Sequence, residues 1–344
     1  MDLVSVIIPC YNMEKLVEKS VRSVLNQTYK NVEVISIDDG STDSTGIILD
    51  SLAREDSRVK VFHQKNGGIG VATNKALDNA QGNYITPLDS DDYFAPEMIE
   101  RLLKALHDYD AEIAQCDRYR FYDINGLDFT PQKDTFSVYT REEILNEYFH
   151  DGITNLNWGA RIYKREIIGN IRCPEGHQFV DVILAPQLLS RCKKYVYTTG
   201  KYYYNYLAPS SISRRIFTDS RWNDCKYANE FYELFVKNEC PEQKNYLLYR
   251  RVDGTLNTYI AVHRSDKVSD KKRKLETLRM DFMDNYKQYL ETDYYKNSKL
   301  LRKIQITLFK LSPKIFIFIY GDCSGFIKYR LFVPVRKKIQ TITK

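Results

Sequence analysis

Asp89-Ser90-Asp91-Asp92 gathers three carboxylates in four positions, directly after the apolar run from Tyr84 to Leu88. Acids packed this closely repel one another unless a cation or hydrogen-bond donors neutralise them. Their hard oxygens suit Mg²⁺ or Mn²⁺, and Mg²⁺ in particular is held by one or two carboxylates and completed by substrate phosphates. An Asp-rich turn or helix start would show the same residues. Position in the chain is what favours a metal.

Three further groups of the same kind follow apolar runs. Asp38-Asp39-Gly40-Ser41 offers carboxylates that accept from a base or ribose, or that cap a helix. Pro9-Cys10-Tyr11-Asn12 carries a tyrosine able to stack on a base or to cover a sheet edge. Asn66-Gly67-Gly68-Ile69-Gly70 lets backbone amides approach a phosphate at a helix start. It lacks the spacing G-x-G-x-x-G and no ribose acid follows at the expected distance, which argues against a nicotinamide enzyme.

Alternating strands and helices must position these groups. Val4 to Pro9 is a β-branched run suited to a central strand, and Glu14 to Gln27 places Leu16, Val17, Val21, Val24 and Leu25 at helical spacing. Val32 to Ile37 predicts a second strand, with Ser41 and Thr42 as caps for a helix running to about Glu55. Val59 to Phe62 and Tyr84 to Leu88 predict the third and fourth strands, with a helix from Val71 to Ala80 between them. This is the pattern of an open, mostly parallel α/β sheet with helices on both faces, whose ligands sit at the carboxyl ends of the strands. All four groups then open on one edge. Beyond Asp92 the pattern weakens to a helix over Pro96 to His107, a strand over Glu112 to Tyr122 and a turn at Asn125-Gly126.

The chain has 344 residues, 43% hydrophobic and 28% charged, as an ordinary globular protein does. Seven scattered cysteines, with no C-x-x-C pair, argue against a disulfide framework or zinc site. The start, Met1 to Cys10, has no basic segment of the signal-peptide kind, so a cytoplasmic location is expected. The net charge of +6 is uneven: residues 296–344 hold twelve Lys or Arg and one acid, leaving −5 on residues 1–295. Three regions are expected: a catalytic domain over 1–215, a helical extension over 216–295 with Lys271-Lys272-Arg273-Lys274 as a solvated face, and a basic tail over 296–344.

Val4-Ser5-Val6-Ile7-Ile8-Pro9-Cys10-Tyr11-Asn12, Asp38-Asp39-Gly40-Ser41-Thr42-Asp43, Asn66-Gly67-Gly68, Gly82-Asn83-Tyr84-Ile85 and Asp89-Ser90-Asp91-Asp92 together resemble family 2 glycosyltransferases of the GT-A fold, of the bacterial surface-polysaccharide type. The likeness is dense over residues 3–95 and thinner to about 215. It implies that Pro9, Tyr11 and Asp39 surround a uracil base, that Asp89 meets the ribose, and that Asp91 holds a divalent metal, Mn²⁺ or Mg²⁺, on the diphosphate. Asn12, Gly67, Gly68 and Asn74 are expected beside the nucleotide-sugar. The family's base is one of an acidic pair after a Pro-Glu-Gly turn. Here Pro174-Glu175-Gly176 leads to Val180-Asp181, so Asp181 is the expected base and Val180 replaces the first acid. Ala72-Thr73-Asn74 lacks the arginine many relatives carry, a charge that Arg214 or Arg215 could supply.

Inversion at an anomeric carbon is one in-line displacement, needing a carboxylate for the acceptor proton and a Lewis acid for the leaving diphosphate. His177 is the alternative base. The partners expected are a UDP-sugar and a saccharide acceptor, lipid-linked. The rival readings are a sugar nucleotidyltransferase, which would need a basic Gly-rich loop after the first strand, and a non-catalytic nucleotide-sugar-binding protein. In the tail, Lys310 to Tyr320 is too short to span a bilayer, which takes roughly 20 apolar residues. With Phe326, Leu331 and Phe332 among Arg302, Lys303, Lys328, Arg330, Arg336, Lys337 and Lys338, it suits the surface of an anionic membrane. The alternatives are a helix packed on the catalytic domain and a nucleic-acid-binding tail; nucleic acid is not expected, because phosphate binding needs no apolar blocks.

Overall fold

The computed structural model describes residues 2–122, 134–150, 152–153, 158–207 and 216–322. Asn125-Gly126, Arg214, Arg215 and the tail beyond 322 lie outside the described residues. The chain divides into two compact units, Met1–Ser213 and Arg214–Lys344.

In the first unit β1 (Val4–Cys10), α1 (Val17–Leu25), β2 (Val32–Asp38), α2 (Thr45–Glu55), β3 (Val59–His63), α3 (Ile69–Asn79) and β4 (Tyr84–Pro87) alternate as the periodicity predicts. There follow β5 (Tyr93–Phe94), α4 (Met98–Tyr109), β6 (Ile113–Phe121), β7 (Phe136–Thr140), α5 (Arg141–Phe149), β8 (Arg161–Lys164), α6 (Arg165–Ile168), α7 (Asp181–Arg191) and β9 (Lys194–Tyr206). The sheet runs β3-β2-β1-β4-β8-β6-β9-β5, with β7 on β9. The first four strands are parallel, from Val4↔Val32 to Cys10↔Asp38, from Val4↔Tyr84 to Ile7↔Pro87, and from Val34↔Val59 to Asp38↔His63. Every residue of β2 is buried, as a strand covered on both faces must be.

Beyond β4 the sheet is mixed. β8 joins β4 antiparallel through Tyr84↔Lys164, β6 pairs antiparallel with β8, and β9 pairs parallel with β6. The core unites β1 and β2 with α1, α2, α4 and the inner faces of β6 and β9 through Val6, Val21, Leu49, Leu102, Ala114 and Tyr203. One expected cap is corrected. The second helix starts at Thr45, whose amide is taken by Asp43 Oδ1 at 3.0 Å, because Ser41 and Thr42 are engaged by Asn12.

The second unit is helical: α8 (Asp219–Glu239), α9 (Lys244–Tyr249), α10 (Thr255–Arg264), α11 (Lys271–Tyr289), α12 (Asp293–Lys296), α13 (Leu300–Leu311) and α14 (Pro313–Phe316), the last continued by a wider turn over Ile317–Asp322. Its core joins Val252, Leu256, Phe282 and Tyr289 to Ile306, Phe309, Phe316 and Ile317. The start of the basic tail thus packs on the helical extension. Arg302 turns inward, its Nε 2.7 Å from Asp253 Oδ2. Lys274 is not solvated either: it is largely buried and pairs with Asp219.

Candidate functional site

Parallel register brings Pro9 and Tyr11, Asp38 and Asp39, the loop after β3, and Asp89 to one sheet edge, where the sequence pattern expects them. Tyr11 is 46% exposed there, free to cover a planar ring. Its neighbour Asn12 has another task. Held at φ 54°, it takes the Thr42 amide at 2.8 Å on Oδ1 and donates its own amide to Ser41 Oγ at 3.0 Å, tying the first loop to the second. Left-handed backbone is tolerated by Asn better than by most residues.

Asp39 is buried and ties the second loop to the third. Oδ1 accepts the Gln64 side-chain amide and the Gly67 amide, both at 2.8 Å, and Oδ2 accepts the Gly68 amide at 2.8 Å. The expectation that Gly67 and Gly68 present their amides to a phosphate is therefore corrected: a carboxylate of the protein already holds both. Gly40 permits the approach, since a Cβ there would lie 2.7 Å from the Asn66 amide nitrogen. A carboxylate has roughly four acceptor directions, and these bonds occupy three of them on Asp39. Asp38 accepts from the Ser41 amide at 3.0 Å and faces His63 Nδ1 at 2.9 Å; these bonds hold its pKa below the usual range against the opposing cost of burial.

Asn74 reaches into the other half of the unit. Its Nδ2 donates to the Cys173 carbonyl at 3.0 Å and its Oδ1 accepts the Cys173 amide at 2.7 Å, a two-point clamp on the segment leading to Asp181. Both ends of the side chain are thus on protein. Gly70 lets that segment close in, because a Cβ would lie 2.6 Å from the Pro174 carbonyl oxygen. Thr73, the position at which the resemblance leads to an expected arginine, is buried and bonds the Cys173 thiol.

The acidic cluster divides by burial. Asp92 is fully buried and accepts Asn205 Nδ2 at 3.0 Å and the Tyr206 amide at 2.8 Å, which locks the end of β9. Burial and the charges of Asp89 and Asp91 raise its pKa well above the carboxylate range. Asp89 and Asp91 are half-buried. The Asp89 amide donates to the Tyr203 hydroxyl at 3.3 Å, and Asp91 is pushed up to about 7 by burial and by Asp89. Among the described residues no three His, Cys, Asp or Glu side chains form a ready-made metal cage. Asp89 and Asp91, two half-buried carboxylates, the second raised by burial and by the charge of the first, match the donor set of an ion whose remaining ligands come from phosphate.

Asp181 opens α7, with buried Val180 as the residue before it. Burial, and then the charge of Asp89, push Asp181 up to about 7, while Arg118 and Arg161 pull it down. The clamp at Cys173 thus delivers this carboxyl into the field of the acidic cluster. Arg161, fully buried on β8, donates Nε to Gln115 Oε1 at 2.8 Å and to the Tyr195 hydroxyl at 3.0 Å. Arg118, on β6, lies 5.3 Å over the Tyr203 ring and donates Nη2 to the Gly159 carbonyl at 2.8 Å. No motif marks Arg118, Arg161 or Tyr203. The one signal was the crowding of tyrosines in Tyr202-Tyr203-Tyr204. His177 is half-buried on the turn before α7. Arg214 lies outside the described residues.

A parallel half-sheet with carboxylates at its strand ends, continued by antiparallel strands that return a further acid to the same edge, is the GT-A architecture. The model of the family Glycosyl transferase family 2 matches residues 5–172. Glycosyltransferase GlyG of Streptococcus pneumoniae serotype 4 is 31% identical over 244 residues, covering 69% of this chain and 79% of that protein. The chain belongs to glycosyltransferase family 2. Of solved structures, S. aureus TarS 1-349 in complex with UDP-GlcNAc superposes with a TM-score of 0.56 at 20% identity, over 87% of this chain and 93% of that one. Mannosyltransferase PcManGT from Pyrobaculum calidifontis, in complex with GDP-Man and Mn²⁺, gives a TM-score of 0.53 at 15% identity, over 84% and 87%. At these identities the likeness is one of fold.

Proposed function

We propose that this glycosyltransferase moves a sugar, with inversion, from a UDP-sugar to a hydroxyl of a lipid-linked saccharide, at the cytoplasmic face of a bacterial membrane, in the synthesis of a surface polysaccharide. The observation that carries the reaction is the placement of Asp181: an elevated carboxyl at the head of α7, clamped through Asn74 beside the strand that ends in Asp89 and Asp91. A base with a pKa near neutrality can take a proton and still be deprotonated at the start of the reaction. The acceptor O–H gives its proton to Asp181, the oxygen bonds the anomeric carbon, and the bond from that carbon to the diphosphate breaks on the opposite side.

Tyr11 and Pro9 cover the uracil, with the remaining acceptor direction of Asp39 for its N–H, and Asp89 takes the ribose. A uridine donor is supported by the TarS complexes with UDP-GlcNAc and UDP, and a divalent ion by the Mn²⁺ of PcManGT. Asp91, with Asp89 beside it, would hold Mn²⁺ or Mg²⁺, which when bound supplies positive charge for the departing diphosphate. Arg118 lies at the same edge through Tyr203 and keeps the negative charge of Asp181 tolerable once the proton is gone.

The test is a panel of nucleotide-sugars with Mn²⁺ or Mg²⁺ and extracted lipid acceptors, scoring nucleoside diphosphate release and the anomeric configuration of the product by NMR. UDP release that needs the ion and is lost in Asp91→Ala and Asp181→Asn is expected. Turnover by Asp181→Asn at the rate of the natural chain, or a product of retained configuration, rejects the mechanism.

A further inference from the structure

The second unit has an apolar surface that its core does not use. On α13, Leu300, Ile304 and Leu311 share one face with Leu301 beside them, while Ile306 and Phe309 point into the core. On α14 and the turn after it, Ile315, Phe318 and Ile319 face outward where Phe316 and Ile317 face inward. The outward set is 74% (Leu300), 60% (Leu301), 48% (Ile304), 73% (Leu311), 52% (Ile315), 64% (Phe318) and 39% (Ile319) exposed. Single exposed leucines are ordinary, but seven large apolar side chains on two consecutive helices are a surface in need of a partner.

Charge says which partner. Between Asp293 and Asp322 there is no acid, whereas Lys296, Lys299, Lys303, Lys310 and Lys314 are spread along the segment. Lys296, Lys299, Lys310 and Lys314 are exposed. A second copy docking by the same face would set lysines against lysines, since a two-fold interface is self-complementary. Residues 323–344 carry six further Lys or Arg and no acid, so they too match these lysines poorly. An anionic, apolar layer satisfies both halves of the pattern at once. Helix α13 has 12 residues, and among the described residues no helix is long and apolar enough to cross a bilayer.

We infer that the outward face of α13 and α14 is a docking surface for an anionic lipid membrane, with both helices lying in the plane of the interface, their apolar side chains among the acyl chains and their lysines at the headgroups. This rests on the surface alone and on nothing in the reaction proposed above, and it would bring a lipid-linked acceptor within the reach of the chain.

Flotation of the full chain with phosphatidylglycerol-containing vesicles tests it, beside vesicles of phosphatidylcholine alone. The natural chain should float with the former only, and the triple change Ile304→Ser, Leu311→Ser and Phe318→Ser should weaken binding about tenfold or more. Lys299→Gln with Lys314→Gln should weaken it about thirtyfold, at about 1 kcal/mol per basic residue near the surface. These positions are exposed, so circular-dichroism melting should be unchanged. A Phe318→Trp variant should be quenched by brominated acyl chains. No flotation, flotation equal in the triple variant, or binding without quenching at position 318 overturns the proposal. So does loss of self-association in the triple variant while vesicle binding stays constant. UDP release in vesicle-free buffer is read separately, so failure of docking and failure of the proposed reaction are distinguishable.

Discussion

In the parallel half of the first unit the carboxylates are answered by donors. Asp38 has the Ser41 amide and His63, and buried Glu33 has Ser5, the Gln81 amide and Lys60, each at 2.6 Å; both pKa values are lowered although burial opposes the change. Across β4 the balance reverses. Asp91 and Asp181 are both pushed up to about 7, and the Tyr203 phenol is raised by burial and by Asp89 and Asp92. The first half uses its acids to hold loops in place. The second holds acids in surroundings that suit their charged form poorly, which is the condition in which they bind ions or protons.

The sharpest test of this division is kinetic. Asp181→Asn should lower kcat about 1,000-fold and leave the donor KM within about twofold, because only proton transfer is removed. Equal losses in kcat and stability would merge the two halves. On the other side, Asp39→Ala strips three donors of their buried acceptor and should cost about 3 kcal/mol in urea unfolding, with a raised donor KM. An Asp39→Ala protein of unchanged stability would show that the loop holds without it.

Stability against pH separates the halves by sign. Asp181 titrates near 3.9 when unfolded and at about 7 when folded, so between these values the native state holds a proton that the unfolded state lacks, and stability falls as pH rises. Asp181→Asn should therefore be more stable than the natural chain by about 4 kcal/mol at pH 8, with no difference at about pH 3. A difference independent of pH would mean packing and not charge. Asn74→Ala, which opens the clamp between the halves, should lower kcat about tenfold and stability by about 1 kcal/mol, with donor KM nearly unchanged.

The smallest effect belongs to His63. Asp38 first and Asp50 second raise its pKa, so its contribution is full below the unfolded value of about 6.5 and is lost as pH rises through the folded value. Half-exposed as it is, His63→Gln should cost less than about 1 kcal/mol at pH 6, and nothing at pH 9, in thermal melts.

Residue types and spacing alone determined the parallel half: four apolar runs with helices between them, and four polar groups that such a sheet carries to one edge. Those signals are local, since hydrophobic periodicity is set within a single element. Asp181 came forward only through the resemblance, whose acidic pair follows a turn like Pro174-Glu175-Gly176. Tertiary structure alone decided the rest. The pairing of β4 with β8 joins Tyr84 to Lys164 across a long stretch of chain, and without it Arg118, Arg161 and Tyr203 are unremarkable residues of β6, β8 and β9. It also showed where the acids' bonds and charges fall: Asp39 takes the loop amides, Asp92 the end of β9, and Asp91 and Asp181 both lie in the field of Asp89. The physical reason is that a carboxylate's charge state depends on which donors and charges surround it in space, and sequence neighbours specify few of those.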